Sequence, residues 1–414
     1  MKVFWFLSFV PNEIKNTKYD STEVSGGWIQ GMLDATLRQD NLEITIVFKT
    51  NKKAIKYFFY NSIRYVGIPS KNYCKHLYEL LIVESPDVIH IWGTEFSICL
   101  ETIEVAKQLN ICNRTMVSLQ GIISEIKNYL TDGLPINVIA GQTIYELFRR
   151  CSIKKRLESF KKRSIDEEKA LKSVFIISGR TEWDYSFVDR CGLSSKYRKV
   201  NENLRASFYN NEWKYEKCQK LSILVSRGDS SIKGFHILLE AFKDIIKEFP
   251  SSKLLVAGDK PFEKGKGIKS LLKQTKYGKY VKSLIFKNSL QNHIEFLGPL
   301  NEIDMLKAYL RANVFVMPSL IENSSNSLSE AMLLGVPCVA TIVGGTSSLL
   351  NHGQEGLLCQ SNSSTMLYHY ISYIFKNPSK SLEYGKNARK KALLIHNRNK
   401  NAEDLLNIYK EIVK

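Results

Sequence analysis

Two glutamates, Glu322 and Glu330, stand eight residues apart and enclose a run of small polar residues, N-S-S-N-S, at 323–327. The run lies between an apolar stretch typical of a buried strand, 314–318, and a helical pattern that ends at Gly335. Where a strand ends and a helix starts, unpaired backbone N–H groups and the helix dipole favour an anion, above all a phosphate. The spacing therefore predicts an anion-binding turn with one carboxylate at the sheet edge and a second one turn into the helix.

A simpler interpretation stays open for Glu330. Ser327 and Glu330 have the spacing of a capping box, in which a serine and a glutamate side chain satisfy two N–H groups at one helix start. In that case Glu330 stabilises only its own helix. The capping box accounts neither for Glu322 nor for the whole polar run.

A basic pair, Arg227 and Lys233, stands at the corresponding place after an earlier predicted strand. The strand 221–227 ends at Arg227, and Lys233 opens an amphipathic helical pattern. Cations beside a helix start can neutralise a departing diphosphate, because charge-assisted hydrogen bonds to phosphate oxygens are strong. A lysine at such a position is also commonly just a solvated side chain.

The order of these segments resembles the donor-binding region of family 4 glycosyltransferases of GT-B fold. The resemblance rests on Glu322, seven residues, Glu330, then A-M-L-L-G-V-P-C-V-A-T, G-G and G-Q-E-G-L-L, and it is strongest over 221–358. It implies a nucleotide-sugar donor, UDP- or GDP-linked, as substrate and no separate cofactor. It also implies catalytic roles for Glu322, Lys233 and Arg227, with Glu322 facing the sugar. The donor-binding residues that it implies are Glu330 at the ribose hydroxyls and Ser324, Ser325, Asn326, Ser327 and Leu328 at the sugar and diphosphate.

The polar run departs from the family pattern at one place. Ser324, Ser325 and Asn326 stand where many relatives have a glycine or an aromatic–glycine pair. The resemblance therefore leaves the identity of the sugar open.

Residues of the first half become candidates through the same resemblance. Gly26 and Gly27 precede a helical pattern, glycines let backbone approach a ligand, and relatives place such a pair by the donor phosphates. His90, Gln120 and Arg180 lie in or directly after predicted strands and are candidates for the acceptor side of the cleft. Arg180 belongs to G-R-T-E-W-D, which is similar to an element of bacterial polysaccharide members. The alternative for the residues after Arg180 is packing and capping at a helix start.

Ten short apolar runs, five in each half, alternate with helical patterns and predict parallel strands that are covered on both faces. We expect an α/β protein of GT-B fold, with two Rossmann-like, doubly wound domains facing a central cleft. The expected parts are an acceptor-binding domain at 1–205, a donor-binding domain at 206–385, and a C-terminal helix at 386–414 that packs back towards the N-terminal domain. The predicted strands are 3–10, 43–49, 87–92, 115–120, 173–178, 221–227, 253–258, 294–298, 314–318 and 336–341.

The chain is strongly basic, because 59 Lys and Arg against 41 Asp and Glu give +18 over 414 residues. Ten basic against four acidic residues at 149–172, after an apolar segment at 134–148, favour contact with an anionic membrane surface. A solvated, lysine-rich face is the alternative. Eight scattered cysteines and no apolar run of about 20 residues predict a cytoplasmic protein, peripheral at the inner face of the membrane. No Asp-x-Asp pair and no metal-binding histidine spacing occurs, so no metal site is expected.

Together the patterns predict a retaining, metal-independent glycosyltransferase that moves a sugar to a hydroxyl of a glycan or lipid-linked glycan in surface polysaccharide synthesis. Retention and metal independence come from the resemblance alone. A GT-B phosphorylase or epimerase acting on nucleotide or phospho-sugars would keep the fold and change the reaction. A basic nucleic-acid-binding protein would explain the charge but gives no reason for two carboxylates at a sheet edge, so no nucleic-acid partner is expected.

Overall fold

The structure is a computed structural model that describes residues 1–9, 27–38, 42–60, 63–263 and 273–414. The chain divides into two compact units, each built from segments that are distant in sequence. Unit 1 comprises Met1–Glu125, Phe160–Asn203 and His396–Lys414. Unit 2 comprises Ile126–Ser159 and Leu204–Ile395.

Each unit is organised around one sheet. The first eight strands belong to unit 1 and the last six to unit 2: β1 (Lys2–Leu7), β2 (Glu43–Thr50), β3 (Lys56–Tyr60), β4 (Ile63–Pro69), β5 (Val88–Trp92), β6 (Thr115–Ser118), β7 (Ile176–Gly179), β8 (Tyr197–Lys199), β9 (Ser222–Val225), β10 (Lys253–Ala257), β11 (Ile294–Gly298), β12 (Val314–Met317), β13 (Cys338–Thr341) and β14 (Leu357–Cys359). Their orders are β3-β4-β2-β1-β5-β6-β7-β8 and β11-β10-β9-β12-β13-β14. All neighbours are parallel except the edge pair β3–β4.

Helices connect the parallel strands, as a parallel sheet requires. In chain order they are α1 (Gly27–Thr36), α2 (Tyr73–Glu84), α3 (Ser97–Gln108), α4 (Ile123–Ile126), α5 (Ile136–Ala140), α6 (Ile144–Arg149), α7 (Ile153–Ser173), α8 (Glu182–Arg190), α9 (Ala206–Tyr209), α10 (Phe235–Glu248), α11 (Lys276–Lys287), α12 (Glu302–Arg311), α13 (Asn326–Leu334), α14 (Thr346–Leu349), α15 (Ser364–Lys376), α16 (Pro378–Ile395) and α17 (Arg398–Val413). Single 3-10 turns occur at Cys112–Arg114, Lys127–Tyr129, Ser194–Lys196, Tyr215–Lys217 and Ser231–Lys233.

Successive residues of a strand point to opposite faces of the sheet, so each sheet carries a core on both sides. In β1, Phe4 and Phe6 enter one apolar cluster of unit 1, whereas Val3, Trp5 and Leu7 enter the other. In β9, Leu224 and Ile223 are divided in the same way between the two clusters of unit 2. Burial on both faces explains why these strands appear in the sequence as continuous apolar runs.

The predicted α/β architecture with two doubly wound sheets is confirmed, and each predicted apolar run contains a strand. Four further strands, β3, β4, β8 and β14, were not predicted. Residues 126–159 group with unit 2, although the sequence placed them in the first domain. The stretch 386–414 is the end of α16 followed by α17 rather than one helix, and α17 packs against α1 within unit 1.

Candidate functional site

The strand order of the second sheet reverses between β9 and β12, which pair in parallel at its centre. From β9 the chain continues to one side, towards β10, and from β12 to the other side, towards β13. The loops that leave the two strands, 226–234 and 318–325, therefore separate at this point. Open α/β sheets bind ligands at such switch points, outside the carboxyl ends of the strands.

The two loops meet in an ion pair between Lys233 and Glu322. The turn Ser231–Lys233 carries the lysine, whose Nζ lies 2.6 Å from Oε1 of Glu322. The hydroxyl of Ser319 donates to the same oxygen at 2.7 Å. The side chains remain 28% and 12% exposed, so a ligand can reach both. Two residues 89 positions apart, each singled out by the sequence, are thus brought into contact.

Two glycines make this approach possible. Gly234 has φ +65°, and a Cβ there would collide with the carbonyl oxygen of Pro318. Gly344 has φ +48°, and a Cβ there would collide with the carbonyl oxygen of Glu322. Since positive φ and the close contact both require glycine, the chain fixes the loop 318–325 at two points, Pro318 and Glu322.

Glu330 lies on α13 and forms a second ion pair, with Arg205. The guanidinium donates from Nε to Oε1 at 2.8 Å and from Nη2 to Oε2 at 2.7 Å, and it packs 4.5 Å from the ring centre of Phe208. Burial raises the pKa of the Glu330 carboxyl, and the charge of Arg205 acts in the opposite direction. The fork-shaped pair holds the carboxylate in one orientation and leaves lone pairs on both oxygens for further donors.

The capping box that the sequence suggested for Ser327 and Glu330 is wrong. Ser325 is the N-cap of α13, and its Oγ accepts a hydrogen bond from the Leu328 N–H at 3.3 Å. Glu330 instead reaches Arg205, so its carboxylate has a partner outside its own helix. Of the predicted donor-binding side chains in this run, Ser324, Ser325 and Leu328 are buried, and Asn326 and Ser327 are half-buried.

Arg227 lies in the loop after β9 and lines a cavity together with Lys233. Its guanidinium pairs with Asp229, with Nε–Oδ1 and Nη2–Oδ2 both at 3.0 Å. Arg227, Lys233 and Arg156 together line a cavity of about 400 Å³. Burial lowers the pKa of Arg156, with the neighbouring Arg227 acting in the same direction and the Asp229 charge opposing. The sequence placed Arg156 only within a general basic run and did not indicate it as a site residue.

The carboxyl edge of the unit 1 sheet carries a different arrangement. Nη1 of Arg180 lies 2.6 Å from Oε2 of Glu202, the two side chains are 6% and 4% exposed, and Gln120 donates to the other carboxylate oxygen. Burial raises the pKa of Glu202, although Arg180 opposes the shift. The adjoining cavity measures about 10 Å³, room for about one water molecule. Arg180 and Gln120, both expected to face an acceptor, are therefore engaged with Glu202.

The helix that follows Arg180 has the capping that the sequence offered as an alternative. The Thr181 hydroxyl accepts from the Asp184 N–H at 3.2 Å, and the Asp184 carboxylate accepts from the Thr181 N–H at 3.0 Å. The same carboxylate accepts the Arg180 N–H at 2.8 Å. Asp184 thus serves the helix start.

His90 does not lie at the sheet edge, and its expected place in the cleft is wrong. It is fully buried in β5, with Nδ1 2.6 Å from the Tyr409 hydroxyl and Nε2 2.7 Å from Oγ of Ser118. Trp5 donates its indole N–H to the same Tyr409 oxygen at 2.8 Å. Burial holds the pKa of His90 well below its usual range. The histidine joins β5 to α17 within the core of unit 1.

The glycine pair and the cysteines were predicted features, and Glu95 is a carboxylate that the structure adds. Gly26 lies outside the described residues, and Gly27 is the first residue of α1. Glu95, three residues after the end of β5, is half-buried, and burial with the nearby Glu167 carboxylate raises the pKa of Glu95 to about 7. All eight cysteines are free thiols. Glu95 is a titratable group that the sequence alone does not mark as unusual.

Two kinds of feature are absent from the described ranges. No group of three or more His, Cys, Asp or Glu there has the arrangement of a metal site. No helix in the described part of the chain is both long enough and apolar enough to cross a bilayer.

Residues 208–391 match the family described as Glycosyl transferases group 1. The putative glycosyltransferase YtcC of Bacillus subtilis (strain 168) is 24% identical over 414 residues, which cover 98% of this chain and 92% of that protein. Sucrose-phosphate synthase from Thermosynechococcus elongatus has a similar structure, with a TM-score of 0.71 at 16% identity over 99% of this chain and 98% of that one. Anabaena Alr3699/HepE, solved in complex with UDP-glucose, gives 0.68 at 15% identity over 99% and 100%. The likeness to these structures confirms the GT-B fold.

Proposed function

We propose that this chain, which carries a glycosyl transferases group 1 domain at residues 208–391, is a retaining glycosyltransferase that uses a UDP- or GDP-linked sugar. The observation that carries the proposal is the Lys233–Glu322 pair at the switch point of the second sheet. A cation and a carboxylate in contact, still partly exposed, offer partners for the two ends of a sugar diphosphate. The structural neighbour solved with UDP-glucose supports a donor of this class.

Different charged side chains bind the two parts of the donor, the diphosphate and the sugar. Lys233 and Arg227, which line one cavity, neutralise the diphosphate as it leaves, and the N–H groups at 324–328 add the positive end of α13. Glu322 orients the sugar through its hydroxyls. Gly26 and Gly27 remain candidates for the donor phosphates.

Glu330 binds the ribose hydroxyls, and Arg205 positions it for that task. A carboxylate can accept two hydroxyl hydrogen bonds while Arg205 holds its other lone pairs, because each oxygen has two acceptor positions. The charge of Arg205 also opposes the rise in the pKa of Glu330 that burial causes. Arg205 is therefore a positioning residue for the donor.

The reaction follows from this arrangement of charges. The acceptor oxygen forms a bond to the anomeric carbon on the face from which the diphosphate departs, and the bond between that carbon and the phosphate oxygen breaks. The hydroxyl proton passes to the leaving phosphate, so no protein base is assigned. Since Lys233 and Arg227 carry the compensating charge, the transfer proceeds without a metal ion.

The acceptor is a glycan or lipid-linked glycan, and the product belongs to surface polysaccharide synthesis at the cytoplasmic face of an anionic membrane. The element G-R-T-E-W-D and the +18 charge support this setting. A phosphorylase on the same fold would need inorganic phosphate. Acceptor-dependent release of a nucleoside diphosphate, measured without phosphate, separates the two reactions.

The first test is thermal unfolding in the presence of EDTA with a panel of nucleoside diphosphates and nucleotide sugars. A nucleotide at 100 times its Kd adds about 2.7 kcal/mol of stability, so one base should raise the Tm clearly. Glu330→Gln keeps the volume, removes the charge and should abolish most of that rise. The matched control is Glu355→Gln, which alters an equally buried carboxylate paired with Lys391 just before β14. An equal rise in Tm in all three proteins would show that Glu330 does not bind the donor.

A further inference from the structure

We infer that the outer face of α6 is a docking surface for an anionic lipid bilayer. The surface consists of Ile144, Leu147 and Phe148 together with the basic residues that follow them, Arg149, Arg150, Lys154 and Lys155. We call it the α6 surface. The inference rests on the proposed function for its purpose, because a lipid-linked acceptor is met at a membrane.

The apolar part of the α6 surface is exposed to an unusual degree. Ile144, Leu147 and Phe148 are 76%, 59% and 82% exposed. Their spacing of three and four residues places them on one side of the helix. Three large apolar side chains side by side in water mark an interaction site rather than scattered surface residues.

The helix is held firmly while this face stays open. Thr143 and Glu146 form a capping box at its start, and the Thr143 hydroxyl donates to the Gln274 carbonyl at 2.7 Å within unit 2. Glu146, on the opposite side, is buried. The α6 surface is therefore presented ready-formed, and docking does not have to order it first.

The exposed charged residues between 144 and 155 are all basic. Arg149, Arg150, Lys154 and Lys155 are all exposed, and the only acidic residue between 144 and 155 is the buried Glu146. Lys155 pairs with Glu158, so three of the four cations lie outside this ion pair. A surface that binds an anionic leaflet typically inserts apolar side chains into the acyl region and places cations at the headgroups.

Two other occupants fit less well. A second copy of the chain on a two-fold axis would bring like charges together, because a symmetric contact faces a patch with itself. Nucleic acid would use the arginines but gains nothing from an exposed isoleucine and leucine. The combination of both features favours the bilayer.

The test is co-sedimentation of the full chain with vesicles of phosphatidylcholine alone or mixed with phosphatidylglycerol. We expect binding to the mixed vesicles, weakened by salt. Each basic residue near the surface is worth about 1 kcal/mol, which is about fivefold in the partition coefficient. Arg149→Ser with Arg150→Ser should therefore weaken binding roughly 25-fold. Leu147→Ser with Phe148→Ser should weaken it at least as much, because it removes the inserted side chains.

The chain offers a matched control in α2. Ile82 and Val83 are 54% and 81% exposed, which are nearly the exposed fractions of Leu147 and Phe148. An acidic residue, Glu84, follows them instead of basic ones. Ile82→Ser with Val83→Ser should bind the mixed vesicles like the native chain. An equal loss in this control, or equal binding of the native chain to both kinds of vesicle, would overturn the inference. So would a concentration-dependent dimer that Leu147→Ser with Phe148→Ser abolishes, because the occupant is then a second copy.

The inference and the proposed function can fail separately. The α6 variants should keep the full nucleotide-dependent rise in Tm, since none of the changed residues belongs to the donor site. Absence of vesicle binding by a native chain that still responds to nucleotide overturns the docking surface alone. Vesicle binding without any nucleotide response overturns the donor site and leaves the docking surface standing.

Discussion

The carboxyl edges of the two sheets carry the same kind of group, a cation paired with a glutamate, in opposite surroundings. In unit 1, Arg180 and Glu202 are buried together beside a cavity of about 10 Å³. In unit 2, Lys233 and Glu322 remain accessible, and Lys233 lines a cavity of about 400 Å³. The comparison teaches that an ion pair at the carboxyl edge of an α/β sheet indicates a ligand site only where it borders open space. Without that space the pair belongs to the structure of the sheet.

Arg180→Met should have the largest effect on the stability of unit 1. The change leaves the Glu202 carboxylate buried without its cation, and loss of one partner of a buried pair typically costs about 3–5 kcal/mol of unfolding free energy. Urea unfolding of native and variant chains measures the loss. The rise in Tm caused by nucleotide should be unchanged. A variant of native stability that no longer responds to nucleotide would reverse the roles of the two edges.

Lys233→Met should give the opposite pair of results. Because its ion pair is partly exposed, the unfolding free energy should fall by about 1 kcal/mol or less. Acceptor-dependent release of nucleoside diphosphate should fall about 10²–10³-fold, the usual effect of removing one group that stabilises developing charge. Lys243, a half-buried lysine on α10 paired with Glu240, provides the control as Lys243→Met. Equal turnover in the two variants would contradict the assignment of Lys233.

The smallest effect concerns pH and the closed interior of unit 1. Burial lowers the pKa of His396 to about 4 and that of His90 well below its usual range. At each of these two histidines the unfolded chain therefore binds the proton more readily than the folded chain below pH 6.5 or so, and the stability that the histidine contributes falls as the pH falls from there towards about 4. Each histidine contributes up to about 1.4 kcal/mol per pH unit in that window.

Urea unfolding at pH 7 and pH 5 measures this dependence. His396 donates from Nδ1 to the Glu202 carbonyl at 2.7 Å, a bond that glutamine can replace, so His396→Gln should flatten the pH profile. A slope unchanged by His396→Gln would show that this histidine does not set the acid sensitivity of unit 1.

Much of the fold could be predicted because burial on both faces leaves a local signal, a continuous apolar run. The edge strand β3 is not buried in this way, because its residues are mostly exposed or half-buried and it pairs antiparallel with β4. In β4, which is largely buried, Arg64 and Gly67 interrupt the apolar run. The strands β8 and β14 have only three residues each. Nothing in 126–159 indicates which sheet it accompanies, because that depends on contacts made far along the chain.

The site shows the same limit. Lys233, Glu322 and Glu330 could be singled out because each stands beside a strand end or helix start in a recognisable order. Arg205 could not, since it is one arginine in an aperiodic segment whose partner comes 125 residues later. The prediction for His90 was wrong for a related reason. A histidine in an apolar strand suggests an edge, and only Tyr409, 319 residues away, explains its burial.

The place of α17 has a consequence for how the protein is made. Leu405, Ile408 and Tyr409 complete one of the two apolar clusters of unit 1, and Tyr409 joins Trp5 to His90. A ribosome releases these residues long after β1 and β5 have emerged. Translation of unit 1 therefore begins before that of unit 2 and ends after it. The sheet face that α17 later covers needs protection while unit 2 is still being translated.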